Sequence, residues 1–444
     1  MLLRCLPIAA ALLMWPSLEA LARPLVLAGG TVIHGYSHAP LRNGVIVIEG
    51  ERITAVGTVD SVSLPPDAEV ISTEGMTVLP GLWDLQVHLD RIGSADEERW
   101  REVYLPIVPR VVGPLVARQL LEAGVTSIRA MPTSARAGLG LAERVREKRV
   151  DGPTIHATGR ALGKLSRFPG EPVFQVTGAQ SAAAQVAELA RAGAGFIVLE
   201  QLELWSADEL AAAVGEARIR ALKVFARGEG SRSVERALEA GVDGFIGMDF
   251  GTEPAIPAAT LEKIAARARA TDKPPLSWTP AVSGVLNYEA LRRDPEPLDD
   301  PASFAGLPPL MSMDLQASMR YLDRVRWYDM PALRAAGLCP KLRQLQEAGV
   351  RLVIGSDSGA PGHLHTRAAW QEVDNWVRDC GIDPMFAIQA ATREAAAAMG
   401  LEHESGTLSP GKYADIIAVR GDLLRHPALL QRLDIIIRHG RRFR

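Results

Sequence analysis

The chain lacks a strong net charge and, beyond its first 22 residues, a long apolar run. Its 49 basic residues nearly balance its 52 acidic residues, for a formal net charge of -3. Such a chain has no strong field to gather nucleic acid or anionic lipid, so neither is expected as a partner. No later segment resembles a membrane-spanning helix. What is present, 47% hydrophobic and 23% charged residues, is typical of a globular enzyme.

Cysteine is also scarce, with three residues in the whole chain. Cys5 lies in the N-terminal apolar unit, which leaves Cys339 and Cys380 in the remainder. An oxidising compartment would allow these two to form a disulfide, but the sequence alone does not pair them. The pairing is therefore left open.

Residues 1–22 have the pattern of an export signal. Arg4 supplies a positive start, residues 6–14 are apolar, and residues 20–22 (ALA) offer the small side chains that a signal peptidase requires. We expect a mature chain from about residue 23 that is secreted or periplasmic and has no membrane contact after cleavage. The alternative is a buried N-terminal helix, because the apolar run is too short to be a permanent anchor.

The order of apolar segments predicts an α/β fold. Strand-like runs alternate with long helical patterns, which is typical of βα units that build a parallel sheet. Eight such runs predict a (β/α)8 TIM barrel. The candidate strands are residues 85–89, 127–130, 154–158, 196–200, 222–226, 244–248, 275–279 and 352–355.

Short β runs at both ends of the chain predict an accessory layer. We expect residues 23–80 and 405–444 to form one small β-sandwich and residues 81–404 to form the barrel. Residues 287–307, rich in proline and acidic side chains, are expected to be an insertion after strand seven, at the catalytic rim. Helices are expected at residues 182–192, 207–217, 233–240 and 384–399, with Gly193, Gly241 and Gly400 ending three of them.

Several motifs resemble those of the amidohydrolase superfamily, especially its imidazolonepropionase-like and prolidase-like branch. Residues 78–89 (VLPGLWDLQVHL) resemble the first-strand signature of that family. The other matching motifs are residues 123–127 (AGVTS), 237–243 (ALEAGVD), 355–359 (GSDSG), 390–395 (AATREA) and 406–415 (GTLSPGKYAD). The resemblance implies a barrel with a β-sandwich from both termini, and hydrolysis of amide-like bonds by a metal-activated water.

Most metal-ligand positions of that family are altered here. The first-strand His-x-His pair is Gln86 and His88, and the carbamylated lysine of strand four falls at Val198. Further histidine positions fall at Arg227, Glu229 and Gly247, whereas the strand-eight aspartate is kept as Asp357. His88 and Asp357 are the candidate catalytic residues.

Arg227 argues against a metal, because arginine stays protonated in proteins. A guanidinium ~5 Å from a divalent ion would be repelled by about 6–7 kcal/mol at an effective dielectric constant of ~20. We therefore expect Arg227 to pair directly with Asp357, and Gln86 and Arg227 are candidate ligand-binding residues.

The loops after strands four and eight hold the candidates for a rearranged site. Glu200 and Glu203 follow the lost lysine and are either substitute ligands or, more in keeping with loop carboxylates, solvated side chains. His363 and His365 follow Asp357 and are either ligands or solvent-facing histidines, with the second favoured.

Strand three and its loop hold further candidates. His156, within an apolar strand, is expected to be a satisfied barrel histidine rather than a ligand. Arg160, Lys164 and Arg167 would hold a carboxylate or phosphate of a ligand, against the plainer interpretation of a basic surface loop. Ala130, where the family has an aspartate, leaves the pocket floor less polar.

Two functions follow from these residues. The first is a small-molecule-binding pseudoenzyme without a cofactor, and the second is a hydrolase with one zinc ion held by His88, Asp357, Glu200 and His363. The substrate and the oligomeric state, including a homo-oligomer, are left open by the sequence.

Overall fold

The computed structural model describes residues 23–37, 39–165, 173–228, 230–248, 250–295, 300–320, 322–324 and 329–444. The export signal expected at residues 1–22, and the candidate positions Arg167 and Glu229, lie outside the described residues. Within them, no helix combines the length and apolar character needed to cross a bilayer.

Eighteen strands are numbered here in chain order. They are β1 (Leu25–Val32), β2 (Leu41–Glu49), β3 (Arg52–Thr58), β4 (Glu69–Ser72), β5 (Met76–Pro80), β6 (Leu82–Val87), β7 (Val125–Ala130), β8 (Thr154–His156), β9 (Ala161–Gly163), β10 (Val173–Gln175), β11 (Phe196–Leu199), β12 (Lys223–Arg227), β13 (Gly244–Ile246), β14 (Ser277–Thr279), β15 (Arg351–Leu352), β16 (Ile416–Arg420), β17 (Ile435–Arg438) and β18 (Arg441–Arg442).

The α-helices lie mainly between the parallel strands. They are α1 (Glu97–Arg99), α2 (Gly113–Glu122), α3 (Ala135–Arg146), α4 (Ala179–Arg191), α5 (Ala207–Ile219), α6 (Ser231–Ala240), α7 (Ala258–Ala268), α8 (Val282–Arg293), α9 (Pro309–Met319), α10 (Pro331–Glu347), α11 (Ala368–Arg378), α12 (Pro384–Ala390) and α13 (Arg393–Met399). Two π-helical turns, Trp100–Tyr104 and Val108–Val112, lie between α1 and α2.

Both ends of the chain contribute to one mixed sheet of eight strands. Its order is β18-β17-β16-β5-β1-β2-β3, with β4 beside β1. The two ends meet where β16 pairs antiparallel with β5, from Ile416 opposite Pro80 to Arg420 opposite Met76. Leu27, Ile46 and Ile437 pack in its apolar core. The shared layer is thus present as one sheet, and a sandwich of two sheets stays a prediction.

The parallel strands fall into two sheets. One has the order β6-β7-β8 and the other the order β10-β9-β11-β12-β13-β14-β15. All eight predicted strands correspond to strands in these sheets, whereas β9 and β10 lie in the segment taken for a loop after strand three. The Leu85 amide donates to the Ile354 carbonyl (2.9 Å) and the Gly195 amide to the Ala157 carbonyl (2.9 Å). Closure into one continuous barrel stays a prediction.

Three predicted helices are confirmed, and the fourth is corrected. α4, α5 and α6 cover the expected segments, and Gly241 caps α6 in the left-handed region with φ 81°. The single helix expected over residues 384–399 is two helices, because Thr392, with φ −134° and ψ −92°, breaks the helical backbone between them. The insertion expected from residue 287 begins in helical conformation, as the end of α8.

A disulfide joins Cys339 of α10 to Cys380, just after α11. Cys380 is fully buried in the main apolar core. The bond closes a loop with a sequence separation of 41 residues and so restricts the unfolded chain.

We predict that replacing both cysteines with serine lowers the free energy of unfolding by about 2–4 kcal/mol, chiefly because the longer free loop gains entropy in the unfolded state. Urea unfolding monitored by circular dichroism measures the loss. Reduced wild type is the matched control and should unfold like the double variant. Equal stability of oxidised and reduced wild type would contradict the prediction.

Candidate functional site

A buried carboxylate on β6 connects the first parallel strand to the segment after the last. Asp84 accepts hydrogen bonds from the Ser356 amide (2.9 Å), the Ser356 hydroxyl and the Gln86 amide (3.2 Å). Burial raises the pKa of Asp84 to about 6, against the lowering effect of those hydrogen bonds. The carboxylate therefore sets the position of the residues on either side of it, Gln86 on β6 and Asp357 after β15.

Asp357 is the centre of the candidate site. It is buried, and its backbone lies in the left-handed region with φ 59°, which is strained for a residue other than glycine. Gln86 Nε2 donates to Asp357 Oδ1 at 2.7 Å, and His88 Nε2 lies 3.1 Å from the same oxygen. Gln86 and His88 are two positions apart on an extended segment, so both reach one side of it.

Hydrogen bonding and electrostatic interactions around Asp357 outweigh the effect of burial. Burial alone would raise the pKa of the Asp357 carboxyl, but the His88 hydrogen bond and electrostatic interactions with His88, His363 and Arg227 hold that pKa below its ordinary value. Asp357 is therefore ionised at neutral pH. Arg227 lies at the end of β12 and acts on Asp357 electrostatically. The direct ion pair between them stays a prediction.

The two histidines after Asp357 are both buried, so the expectation that they face solvent is wrong. His365 Nε2 donates to the Arg91 carbonyl (2.8 Å), and its Nδ1 lies 3.1 Å from the Ser358 hydroxyl. Both ring nitrogens are thus engaged, and burial lowers the pKa of His365 to about 4. His365 is a neutral residue that holds the loop together.

His363 differs from His365. Its Nε2 is buried and has no hydrogen-bond partner. Burial lowers the pKa of His363, although the Asp357 charge and a hydrogen bond to the Gly284 backbone act the other way. Gln86 Oε1 is likewise buried without a partner, so the site holds two buried polar atoms with unused hydrogen-bonding capacity.

Two positions of the family's metal site, Val198 and Gly247, carry no donor atom. Val198 is fully buried in an apolar cluster with Phe196, Phe225 and Ile246. Gly247 has φ 77°, so a histidine there would be strained. Within the described ranges, no group of three or more His, Cys, Asp or Glu residues converges as metal ligands. The donor set does not fit the family's metal centre.

The carboxylates after strand four are only partly exposed. Glu200 is half-buried, and its backbone carbonyl accepts a hydrogen bond from Trp205 Nε1 (2.9 Å). Glu203 accepts a hydrogen bond from the Ser233 hydroxyl (2.9 Å) of α6, so it is not simply a solvated side chain. A metal-binding role for Glu200 stays a prediction.

The basic residues after strand three are held separately. Lys164 Nζ pairs with Glu209 of α5 at 2.8 Å. The Arg160 guanidinium lies over the Phe174 ring, 5.0 Å from its centre, and is exposed. Lys164 is thus already neutralised, and the two cations do not form one anion-binding pair.

Sequence reasoning missed Arg129 of β7. It is buried, donates to the Leu85 carbonyl (2.9 Å) and the Thr279 hydroxyl (2.8 Å), and stacks on the Phe225 ring. Burial lowers the pKa of Arg129 to about 9, although the Asp84 charge acts the other way. The pocket floor is therefore more polar than the presence of Ala130 suggested. The alternation of side chains along β7 was the sequence signal that could have placed Arg129 inside the sheet.

His156 of β8 stacks on Trp83, with the ring centres 5.4 Å apart. Its Nε2 is buried without a hydrogen-bond partner, so the expectation of a satisfied histidine is wrong. Burial lowers the pKa of His156 to about 4, which keeps the ring neutral.

We predict that Gln86→Leu lowers the free energy of unfolding by about 1–3 kcal/mol, because Asp357 loses a charge-assisted hydrogen bond within the protein interior. Urea unfolding at neutral pH measures the change. Gln389→Leu is the matched control, since Gln389 is equally buried but its Nε2 has no partner. An equal loss in both variants would show that the Gln86 to Asp357 contact contributes nothing specific.

Comparison with known proteins agrees with this architecture. The amidohydrolase family model matches residues 315–440. An adenine deaminase from Ruegeria sp. (strain TM1040) is 25% identical over 421 residues, which cover 94% of this chain and 56% of that protein. The chain thus spans just over half the length of that relative. An imidazolonepropionase from Symbiobacterium thermophilum is 26% identical over 404 residues, covering 85% of this chain and 84% of the relative.

Among solved structures, a Xaa-Pro dipeptidase with bound methionine in the active site has a TM-score of 0.74 to this chain at 21% identity, covering 95% of this chain and 99% of the other. That likeness concerns the fold. With the family motifs, the parallel strands and the retained Asp357 and His88, these similarities support the amidohydrolase superfamily, and within it the imidazolonepropionase-like branch, as the group that this chain resembles.

Proposed function

We propose that this protein binds a small molecule at the carboxyl ends of its parallel strands and has lost the divalent metal of its family. The hydrogen bonds of Gln86 and His88 to one oxygen of Asp357 carry this proposal. A carboxylate that already accepts an amide N–H and an imidazole N–H has part of its metal-binding capacity occupied. The ancestral chemistry is hydrolysis of C–N bonds.

Charge and packing support the same proposal. Arg227 adds a permanent positive charge near Asp357, in place of a neutral imidazole. Val198 replaces a bridging ligand by a side chain that packs against Phe196 and Phe225. Restoring the centre would require changing Gln86, Val198, Arg227 and Gly247 together, since any one added imidazole still meets an incomplete ligand set.

One observation favours a second candidate function, a hydrolase with a single rearranged zinc site. His363 Nε2 is buried and unpartnered, and the Asp357 charge reaches its ring. His88, Asp357, Glu200 and His363 would be the ligands of such a site. His88 Nε2 and Asp357 Oδ1 lie 3.1 Å apart, a separation that suits a direct hydrogen bond and also suits two ligands of one ion.

Metal analysis separates the two functions. We predict that the purified protein contains no stoichiometric zinc, and that added zinc leaves its melting temperature unchanged, because the donor set is incomplete. Elemental analysis after dialysis and a thermal melt with and without zinc are the measurements.

His88→Ala and His403→Ala are the matched variants, since His403 is exposed and reports adventitious surface zinc. Stoichiometric zinc that is lost in His88→Ala and kept in His403→Ala would establish the rearranged hydrolase instead. Zinc reduced equally in both variants would be adventitious and would leave the metal-free proposal standing.

We further propose export of the chain to the periplasm or the cell exterior. Two features support this: the signal-like pattern of residues 1–22, and a disulfide between Cys339 and Cys380, which persists in oxidising compartments. N-terminal sequencing of the expressed full-length chain should find a start near Arg23. An intact Met1 in the cytoplasmic fraction would refute the proposal. After cleavage we expect neither nucleic acid nor membrane as a partner, and a homo-oligomer stays open.

A further inference from the structure

A cavity of about 560 Å³ lies away from the Asp357 site. It is enclosed by α3, by the turn after α4, by β8 and by the end of β17. Thr154, the first residue of β8, and Gly195, just before β11, both line it, so it opens at the amino ends of the parallel strands. Gln86, Arg227 and Asp357 lie at the carboxyl ends. The volume is in the range of small-molecule binding sites.

Among the charged side chains at this cavity, one cation makes no direct ion pair. Lys148 pairs with Glu51 at 2.7 Å, and Arg146 lies 3.8 Å from Glu143. In the part of the chain that the structure describes, Arg438 has no carboxylate within ion-pair distance. The charges of Asp415, Glu51 and Asp151 act on Arg438 only through space, so its guanidinium is the cation of the wall that no carboxylate contacts directly.

Arg438 is also poorly hydrogen-bonded. The residue is half-buried, its Nε has no hydrogen-bond partner, and its Nη2 donates only a long hydrogen bond of 3.4 Å to the Thr154 hydroxyl. The nearby Asp415 accepts a hydrogen bond from the His439 backbone amide at 2.7 Å instead. A half-buried guanidinium with so few partners is costly unless an anion completes its hydrogen bonds.

The rest of the wall suits a compact organic molecule. Leu139, Ala142 and Val145 of α3 provide an apolar side. The Tyr413 and His439 rings are stacked with their centres 4.3 Å apart and form a flat aromatic side of the cavity. A ligand with an apolar body and one anionic group would therefore fit the lining. Its body would contact the α3 side chains and the aromatic rings, and its anionic group would contact Arg438.

We propose that this cavity is a second binding site, which takes a small organic anion, a carboxylate or a phosphate ester, with Arg438 as its anchor. The anionic oxygens accept hydrogen bonds from the Arg438 guanidinium and the Thr154 hydroxyl. The apolar part of the ligand lies between α3 and the Tyr413 ring. The proposal does not depend on whether the Asp357 site holds a metal.

Isothermal titration at constant ionic strength tests the site, with benzoate and inorganic phosphate as probes. We expect saturable binding of benzoate, and weaker binding of phosphate, which has no apolar body. Arg438→Gln should weaken benzoate at least about tenfold, because it removes a charge-assisted hydrogen bond. Arg441→Gln is the matched control, since Arg441 is an exposed neighbour on β18 whose guanidinium lies 3.6 Å from Asp151, and it should bind as wild type does.

Two further variants keep the test decisive. Ala142→Phe fills the cavity from α3 without touching Arg438 and should also abolish binding, which covers a failure of Arg438→Gln to fold. Asp357→Asn should leave benzoate affinity unchanged if the anion occupies this cavity. Absence of saturable binding by either probe would overturn the proposal, as would full affinity in both Arg438→Gln and Ala142→Phe. Binding that only Asp357→Asn changes would overturn it too.

Discussion

The hydrogen bonds of the buried Asp84 carboxylate are the contact on which the candidate site depends. Asp84 accepts from the Ser356 amide and hydroxyl and from the Gln86 amide, so one side chain fixes two segments that are 272 positions apart in the chain. Asp357 follows Ser356 directly, and Gln86 lies two residues after Asp84. The meeting of Gln86 with Asp357 is thus a consequence of how Asp84 joins β6 to the segment after β15.

Groups of this chain offset the charge of the buried Asp357 carboxylate. In a metal-dependent relative, divalent ions would offset the carboxylate. Here Gln86 and His88 donate to it, while Arg227 and His363 act on it through space. Val198, at the position that corresponds to the family's lysine ligand, packs in an apolar cluster with Phe196 and Phe225.

The parallel strands present different chemistry at their two ends. The carboxyl ends hold the ionised Asp357 carboxylate, which Gln86 and His88 contact by hydrogen bonds. The amino ends adjoin the terminal sheet, and there Arg438 makes no direct ion pair with a described carboxylate. The terminal sheet supplies Arg438, His439 and Tyr413 to that cavity. The layer built from both ends of the chain therefore shapes a ligand-sized space as well as covering apolar surface.

The sequence by itself indicated the resemblance to the amidohydrolase superfamily, the alternation of strands and helices, and the altered residue types at Gln86, Val198, Arg227 and Gly247. These properties are local, since a motif, a period or a residue type is visible without knowledge of its neighbours in space. The prediction of a single helix over residues 384–399 was wrong for a local reason as well. The helical spacing of apolar residues continues through Thr392, where the backbone itself breaks the helix.

Only the tertiary structure decided which groups meet. The sequence spacing of His363 and His365 suggested one shared direction, yet the Arg91 carbonyl and the Ser358 hydroxyl engage His365 and leave His363 Nε2 without a partner. The Cys339 to Cys380 bond, the position of Arg129 over Phe225 and the approach of Arg438 to Thr154 also join residues far apart in the chain. Such contacts depend on how the strands and the terminal sheet pack, and residue type does not encode them position by position.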